Sequence, residues 1–211
     1  SRLYVLIRPS RDEADYIQTT IDSIVNQSLL PEKWVIVDDG STDGTEIIIA
    51  AAARQYPFIE VVKRGNRGKR SVGPGVIEAF YAGYDAIIPS QYDLDIPPNY
   101  FEILVRRMEE NPRIGTCSGK PYFPGKDGQL VSERCGDETS VGMIKFYRRT
   151  CFEEIGGFVR QVMWDGIDCH RCRMEGWIAC SWDAPALRFV HLRPMGSSQK
   201  SIFTGRARHG A

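Results

Sequence analysis

No apolar run in this chain approaches the roughly 20 residues that a membrane-spanning helix requires. Nor does a positively charged start lead into an apolar segment, so no secretory leader is expected. Internal repeats and low-complexity stretches are also lacking, and the composition is that of a folded domain: 42% hydrophobic and 26% charged residues in 211. Net charge is absent too. The 27 Lys+Arg balance 27 Asp+Glu, which argues against nucleic acid as a partner. Six cysteines without a secretion signal suggest reduced thiols in a cytosolic setting. Cys169 and Cys172 have metal or redox spacing, but no second such pair exists, and this disfavours a zinc or redox centre.

What is present is an uneven distribution of that neutral charge. Residues 1–62 carry a net −5, residues 63–75 a net +5 with no acid, residues 76–183 a net −5, and residues 184–211 a net +5 with no acid. Two basic blocks therefore lie among acidic stretches. They are either solvated surface or two distant contributions to one anion site.

The apolar pattern alternates between strand and helix. Leu3 to Ile7, Trp34 to Val37 and Ile59 to Val62 read as buried strands, and another begins at Ala86. Ile17, Ile21, Ile24 and Val25 share one helical face, and helices are expected over Ile47–Gln55 and Val76–Tyr84. This alternation predicts an α/β domain, with a mostly parallel sheet covered by helices on both faces. Ligands of such sheets bind beyond the carboxyl ends of the strands. After residue 112 the pattern loosens. Strands are expected around Thr116–Phe123 and Gly142–Phe146, and helices over Thr150–Ile155 and Gly166–Met174.

Two acidic clusters follow buried strands. Asp38-Asp39-Gly40-Ser41-Thr42-Asp43-Gly44-Thr45 offers carboxylates to a nucleoside, but Asp, Ser and Thr equally favour helix starts, and spacing alone leaves both readings open. Asp93-Leu94-Asp95 puts two carboxylates on one side of an extended chain, where they can hold a hard divalent cation. A lone Asp-x-Asp is also an ordinary loop.

Together the clusters carry a resemblance. Pro9, Arg11-Asp12-Glu13, Ser23, Gln27, the ungapped Asp38–Thr45 run and the following Asp-x-Asp resemble family 2 glycosyltransferases, which have the GT-A fold, a Rossmann-like sheet with a smaller acceptor-side C-terminal part. The resemblance is densest in residues 5–45. It implies one catalytic domain over 1–211: a nucleotide-binding half at 1–112, an acceptor and base half at 113–195, and a basic tail at 196–211. It further implies that Pro9, Arg11, Glu13, Asp38, Asp39, Arg67, Lys69, Arg70 and Asp93 meet the nucleotide donor. Asp93, Asp95 and His191 would hold Mn2+ or Mg2+. Lys200, Arg206, Arg208 and His209 would belong to a lid that closes on the donor diphosphate.

Trp164-Asp165-Gly166-Ile167-Asp168, then Arg171, Arg173 and Gly176-Trp177, resembles the stretch that carries the general base in inverting members. Trp164 stands where the family usually has Glu, and Asp168 is one place off a second acid, so the base lies between Asp165 and Asp168, with Asp165 preferred. The expected activity is metal-dependent, inverting transfer of a sugar from a nucleotide-diphosphate sugar, UDP before GDP, to a glycan, lipid-linked or protein acceptor. The expected place is the cytoplasm, at the cytosolic face of a membrane where partners outside these residues provide an anchor. Two other readings compete: a nucleotidyltransferase, disfavoured because Arg8–Glu13 contains no phosphate-cradling glycine, and a non-catalytic sugar-nucleotide or glycan-binding module.

Overall fold

The computed structural model describes residues 4–66, 74–84, 94–125, 127–160 and 164–192. The expected strand from Ala86 lies outside these residues, as do Arg67, Lys69, Arg70, Asp93, Lys200, Arg206, Arg208 and His209.

The first layer is a parallel sheet of β1 (Val5–Ser10), β2 (Lys33–Asp38) and β3 (Ile59–Lys63), in that order. The runs Leu-Ile in β1 and Trp-Val-Ile-Val in β2 are apolar on both faces because both faces are covered. On one side lie α1 (Ile17–Val25) and α2 (Thr45–Gln55), which bury Ile17, Ile21, Ile24 and Ile49 against Trp34 and Ile36. On the other lies α3 (Pro74–Tyr84), whose Ala79 packs with Ile7, Val35 and Val37. Gly83 allows this close approach, since a methyl group there would fall 2.5 Å from Ile7 Cγ2. Each large apolar side chain enclosed in this way contributes about 1.5–3 kcal/mol.

The second half opens with β4 (Leu94–Asp95) and α4 (Tyr100–Glu110). No helix was expected at α4, although Tyr100, Phe101, Leu104, Val105 and Met108 mark a buried helical face. The expected single strand around Thr116–Phe123 is two: β5 (Ile114–Ser118) and β6 (Lys120–Pro124). The break falls at Gly119, where a side chain would collide with the carbonyl oxygen of Leu187. There the chain changes partners. β5 lies between β8 (Phe146–Tyr147) and β9 (Ile178–Ser181), whereas β6 lies between β10 (Arg188–His191) and β7 (Leu130–Ser132), with β4 beyond β10. The strand expected over Gly142–Phe146 is instead a 3-10 turn, Gly142–Ile144, running into the short β8. The helices α5 (Arg149–Glu154) and α6 (Trp164–Met174) match their expected positions to within two residues. No described helix is long and apolar enough to cross a membrane.

Candidate active site

The parallel register aligns Ser10 with Asp38 and Asp38 with Lys63, so the carboxyl ends of β1, β2 and β3 open onto one edge. The loops leaving that edge are joined residue by residue. Asp12, with a positive φ of 51°, accepts the backbone N–H of Thr42, and its own N–H donates to Ser41 Oγ. Glu13 N–H donates to Thr45 Oγ1 and Ala14 N–H to Asp43 Oδ2. Asp43 Oδ1 accepts from both the N–H and the hydroxyl of Thr45, fixing the entry of α2. Part of the Asp-rich run is therefore structural, as its helix-start chemistry allowed. Burial opposes ionisation of Asp43, but the donors from Thr45 and Ala14 outweigh it and hold the carboxyl below its ordinary range.

Asp38 and Asp39 are the carboxylates left at the strand ends. Asp38 Oδ1 accepts the N–H of Ser41 at 3.0 Å. Asp39 Oδ1 accepts from Arg64 Nη1 at 3.0 Å, and the Asp39 backbone oxygen accepts from Arg11 Nη1. Arg11 Nη2 continues to Asn66 Oδ1, and Asn66 packs on Gly40, where a side chain would fall 2.5 Å from Asn66 Cα. Arg64 and Asn66 were not singled out by sequence. Arg64 sits in the first basic block, and that block was the available signal.

Arg11 and Glu13, expected on the pocket wall, are inside the protein. Glu13 accepts from Arg8 Nη2 and Ser10 Oγ, each at 2.7 Å, in a buried ion pair, and Arg11 braces Asp39 from behind. Pro9 is buried in β1 opposite Val37.

The proposed metal ligands do not converge among the described residues. In the antiparallel ladder Asp95 opposes Val190 and Leu94 opposes His191. Opposed residues share a face and neighbours alternate, so Asp95 and His191 point to opposite sides. Asp95 is exposed and lines an open groove of about 460 Å3 with Asp22 and Arg188. His191 is buried, with Nδ1 3.2 Å from Glu133 Oε1. Among the described residues no group of three His, Cys, Asp or Glu side chains is placed to hold a metal ion, and this includes Cys169 and Cys172. Cys172 faces Cys151, with their sulfurs 3.4 Å apart, whereas Cys169 faces Ser140.

The two base candidates occupy opposite environments. Asp165 is exposed in the first turn of α6. Its carboxylate lies over Gly142, where a methyl group would come within 2.6 Å of Oδ2. Asp168 is buried, and Lys145 Nζ lies 2.7 Å from each of its oxygens. Asp168 Oδ1 also accepts the N–H of Cys169, and Oδ2 accepts from the Tyr147 hydroxyl. Burial and the adjacent Asp168 push the Tyr147 phenol well above its ordinary pKa, which keeps it a donor. Asp168 thus has a structural ion pair and a full set of donors, not an open face. Trp164, in the position usually held by Glu, packs edge-on against Phe158 in an aromatic cluster with Phe80 and Phe152, anchoring the start of α6. Lys145 and Tyr147 were not singled out by sequence. A lone lysine between apolar Ile144 and Phe146 was their signal.

The fold is shared with solved structures of low sequence identity. The mannosyltransferase PcManGT from Pyrobaculum calidifontis, in complex with GDP-Man and Mn2+, superposes with a TM-score of 0.65 at 18% identity, over 98% of this chain and 64% of that one. S. aureus TarS 1-349 in complex with UDP-GlcNAc gives a TM-score of 0.68 at 18% identity, over 94% and 61%. These likenesses establish the GT-A fold. By sequence, the chain is 25% identical over 136 residues to the poly-beta-1,6-N-acetyl-D-glucosamine synthase of Staphylococcus epidermidis, covering 64% of this chain and 32% of that protein. It therefore spans about a third of the length of that synthase. The family model described as glycosyl transferase family 2 matches residues 5–167, a span that takes in the parallel sheet, the Asp38–Thr45 loop and Asp165. With its fold and most of its length accounted for in this way, the chain belongs to glycosyl transferase family 2.

Proposed function

We propose that this chain binds a nucleotide-diphosphate sugar, UDP-linked before GDP-linked, and transfers the sugar with inversion to a hydroxyl acceptor. The observation that carries this reading is the contrast between the two acids of α6. Asp168 is enclosed and paired with Lys145, whereas Asp165 is exposed in a seat at Gly142. An acid in the first turn also complements the helix dipole, and an exposed carboxylate there is free to serve as the base that an inverting transferase needs. Asp39, braced by Arg11 and Arg64, meets the nucleoside at the strand ends together with Asp38. Asp165 takes the proton from the acceptor hydroxyl. The acceptor oxygen forms its bond to the anomeric carbon as the bond from that carbon to the diphosphate oxygen breaks, and the nucleoside diphosphate departs.

A divalent ion would neutralise the departing diphosphate. The described donors do not by themselves fit one: Asp95 stands apart from His191, which is held by Glu133, and Asp93 lies outside the described residues.

Titration calorimetry with UDP, UDP-GlcNAc and GDP-mannose, each with and without Mn2+, followed by release of sugar or nucleotide, tests the reading. We expect one donor to bind and turn over. Asp165→Asn should keep that affinity within about twofold and lower turnover by about 10²–10⁴-fold, the range of general base catalysis. Binding without any turnover would leave a sugar-nucleotide-binding module, and turnover unchanged in Asp165→Asn would remove Asp165 as the base.

A further inference from the structure

Resting on the assignment of Asp165 as base, we infer that Lys145 and Gly142 are positioning residues that set where its carboxylate stands. The 3-10 turn and β8 run past the first turn of α6 and touch it at successive points. At the start of the turn, Gly142 has no side chain, and the Asp165 carboxylate fills the space a methyl group would occupy, with Oδ2 at 2.6 Å and Cβ at 2.9 Å from that point. Three residues on, the Lys145 ammonium donates to the backbone oxygen of Asp165 at 2.6 Å and to both oxygens of Asp168 at 2.7 Å. A lysine has three N–H donors, and here they are shared among the Asp165 carbonyl, the two Asp168 oxygens and, at 3.2 Å, Cys169 Sγ, all on one helical turn. Two residues further, on the same side of the strand, Tyr147 donates to Asp168 as well.

The chemistry of Lys145 differs from that of an ordinary buried ion pair. Pairing with Asp168 alone would stabilise the fold and leave the exposed Asp165 to its own rotamers. The additional bond to the Asp165 carbonyl fixes the backbone from which the carboxylate projects, and Gly142 fixes the space into which it projects. Lys145 is 2% exposed and Asp168 1%, so water does not compete for these bonds. Displacing a reacting group by about 1 Å costs on the order of 10²-fold in rate, and rigid support is what prevents such displacement.

Two variants separate positioning from stability. Lys145→Met alone leaves the buried Asp168 charge without its counterion and risks unfolding. The double variant Lys145→Met/Asp168→Leu removes both charges and keeps the site apolar, which is commonly neutral for stability. Gly142→Ala introduces one methyl group against Asp165 and touches no charge. Using UDP-GlcNAc and GDP-mannose as donors, we expect both variants to lower kcat by about 10²-fold while KM and the calorimetric affinity for UDP or GDP stay within about twofold. A purely structural role would move these quantities together with the unfolding midpoint, or none of them. Turnover lost in Asp165→Asn but kept in both variants overturns the positioning role alone. A wild-type protein without turnover, or turnover kept in Asp165→Asn, overturns the base assignment and this inference with it.

Discussion

The strand-end edge and the start of α6 both present carboxylates, yet they are built in different ways. At the edge, acids and bases are held by loops that meet along aligned parallel strands. Asp12 with Thr42, Glu13 with Thr45 and Asp43 with Ala14 form a ladder between two segments that the register of β1 and β2 brings together. At α6, the support for Asp165 comes from a separate turn and a two-residue strand, through a lysine that reads in sequence as one more surface cation. The edge spreads its stability over many modest bonds. Both regions hold an enclosed ion pair, Arg8–Glu13 at the edge and Lys145–Asp168 at α6, but at α6 that pair carries most of the support.

Lys145→Met breaks that comparison most strongly. Removing one partner of an enclosed pair costs about 3–5 kcal/mol, because the remaining charge stays desolvated. Urea unfolding should show this loss in Lys145→Met, and the charge-free double variant Lys145→Met/Asp168→Leu should recover most of it. A loss below about 1 kcal/mol in the single variant would mean that Asp168 reaches water and that the two regions are alike.

The same contrast explains what could be read from the sequence. The three parallel strands, the helices beside them and the Asp-rich loop were legible because each is a local pattern: continuous apolar runs, a helical period, and a cluster of turn-forming acids. The GT-A fold followed from those patterns together with the resemblance. The interior roles of Arg11 and Glu13 were not legible, because burial of a charge depends on a partner: Arg8 meets Glu13 only where the chain turns after β1, and Asn66 meets Arg11 only when the strands align. The split at Gly119 was hidden for a similar reason, since the obstacle there is the carbonyl of Leu187, far along the chain. The opposed faces of Asp95 and His191 depend on the register between β4 and β10. The separation of Asp165 from Asp168 needed Lys145, 23 residues before Asp168 and without any motif of its own.

Asp39→Asn sharpens the comparison at intermediate size. The Asp39–Arg64 pair is partly exposed, at 8% and 23% of their side chains, so stability should fall by only about 1 kcal/mol. If Asp39 meets the nucleoside, UDP affinity should fall about tenfold or more, equivalent to about 1.4 kcal/mol. Calorimetry beside an unfolding curve reads both. Unchanged affinity with lowered stability would make the Asp39 carboxylate a brace for Arg64 and move the nucleoside contact to Asp38.

The smallest effect belongs to Asp43, and its sign follows from the hydrogen bonds around it. Burial works against the charged form, but the donors from Thr45 and Ala14 hold the folded carboxyl below its ordinary value of 3.8. A depressed native pKa stabilises the fold above the unfolded-state value, and that contribution fades as pH falls through this value toward the native one. Asp43→Asn removes it at neutral pH and removes little once the wild-type carboxyl is protonated. The stability gap between wild type and Asp43→Asn, taken from urea midpoints, should therefore be widest near pH 6 and narrow below about pH 4. A gap that stays constant through this range would show that the Thr45 and Ala14 bonds hold the loop by shape, with the charge contributing nothing. The loop ladder at the strand-end edge would then rest on geometry alone, and the contrast between its modest bonds and the Lys145–Asp168 pair would be one of shape against charge.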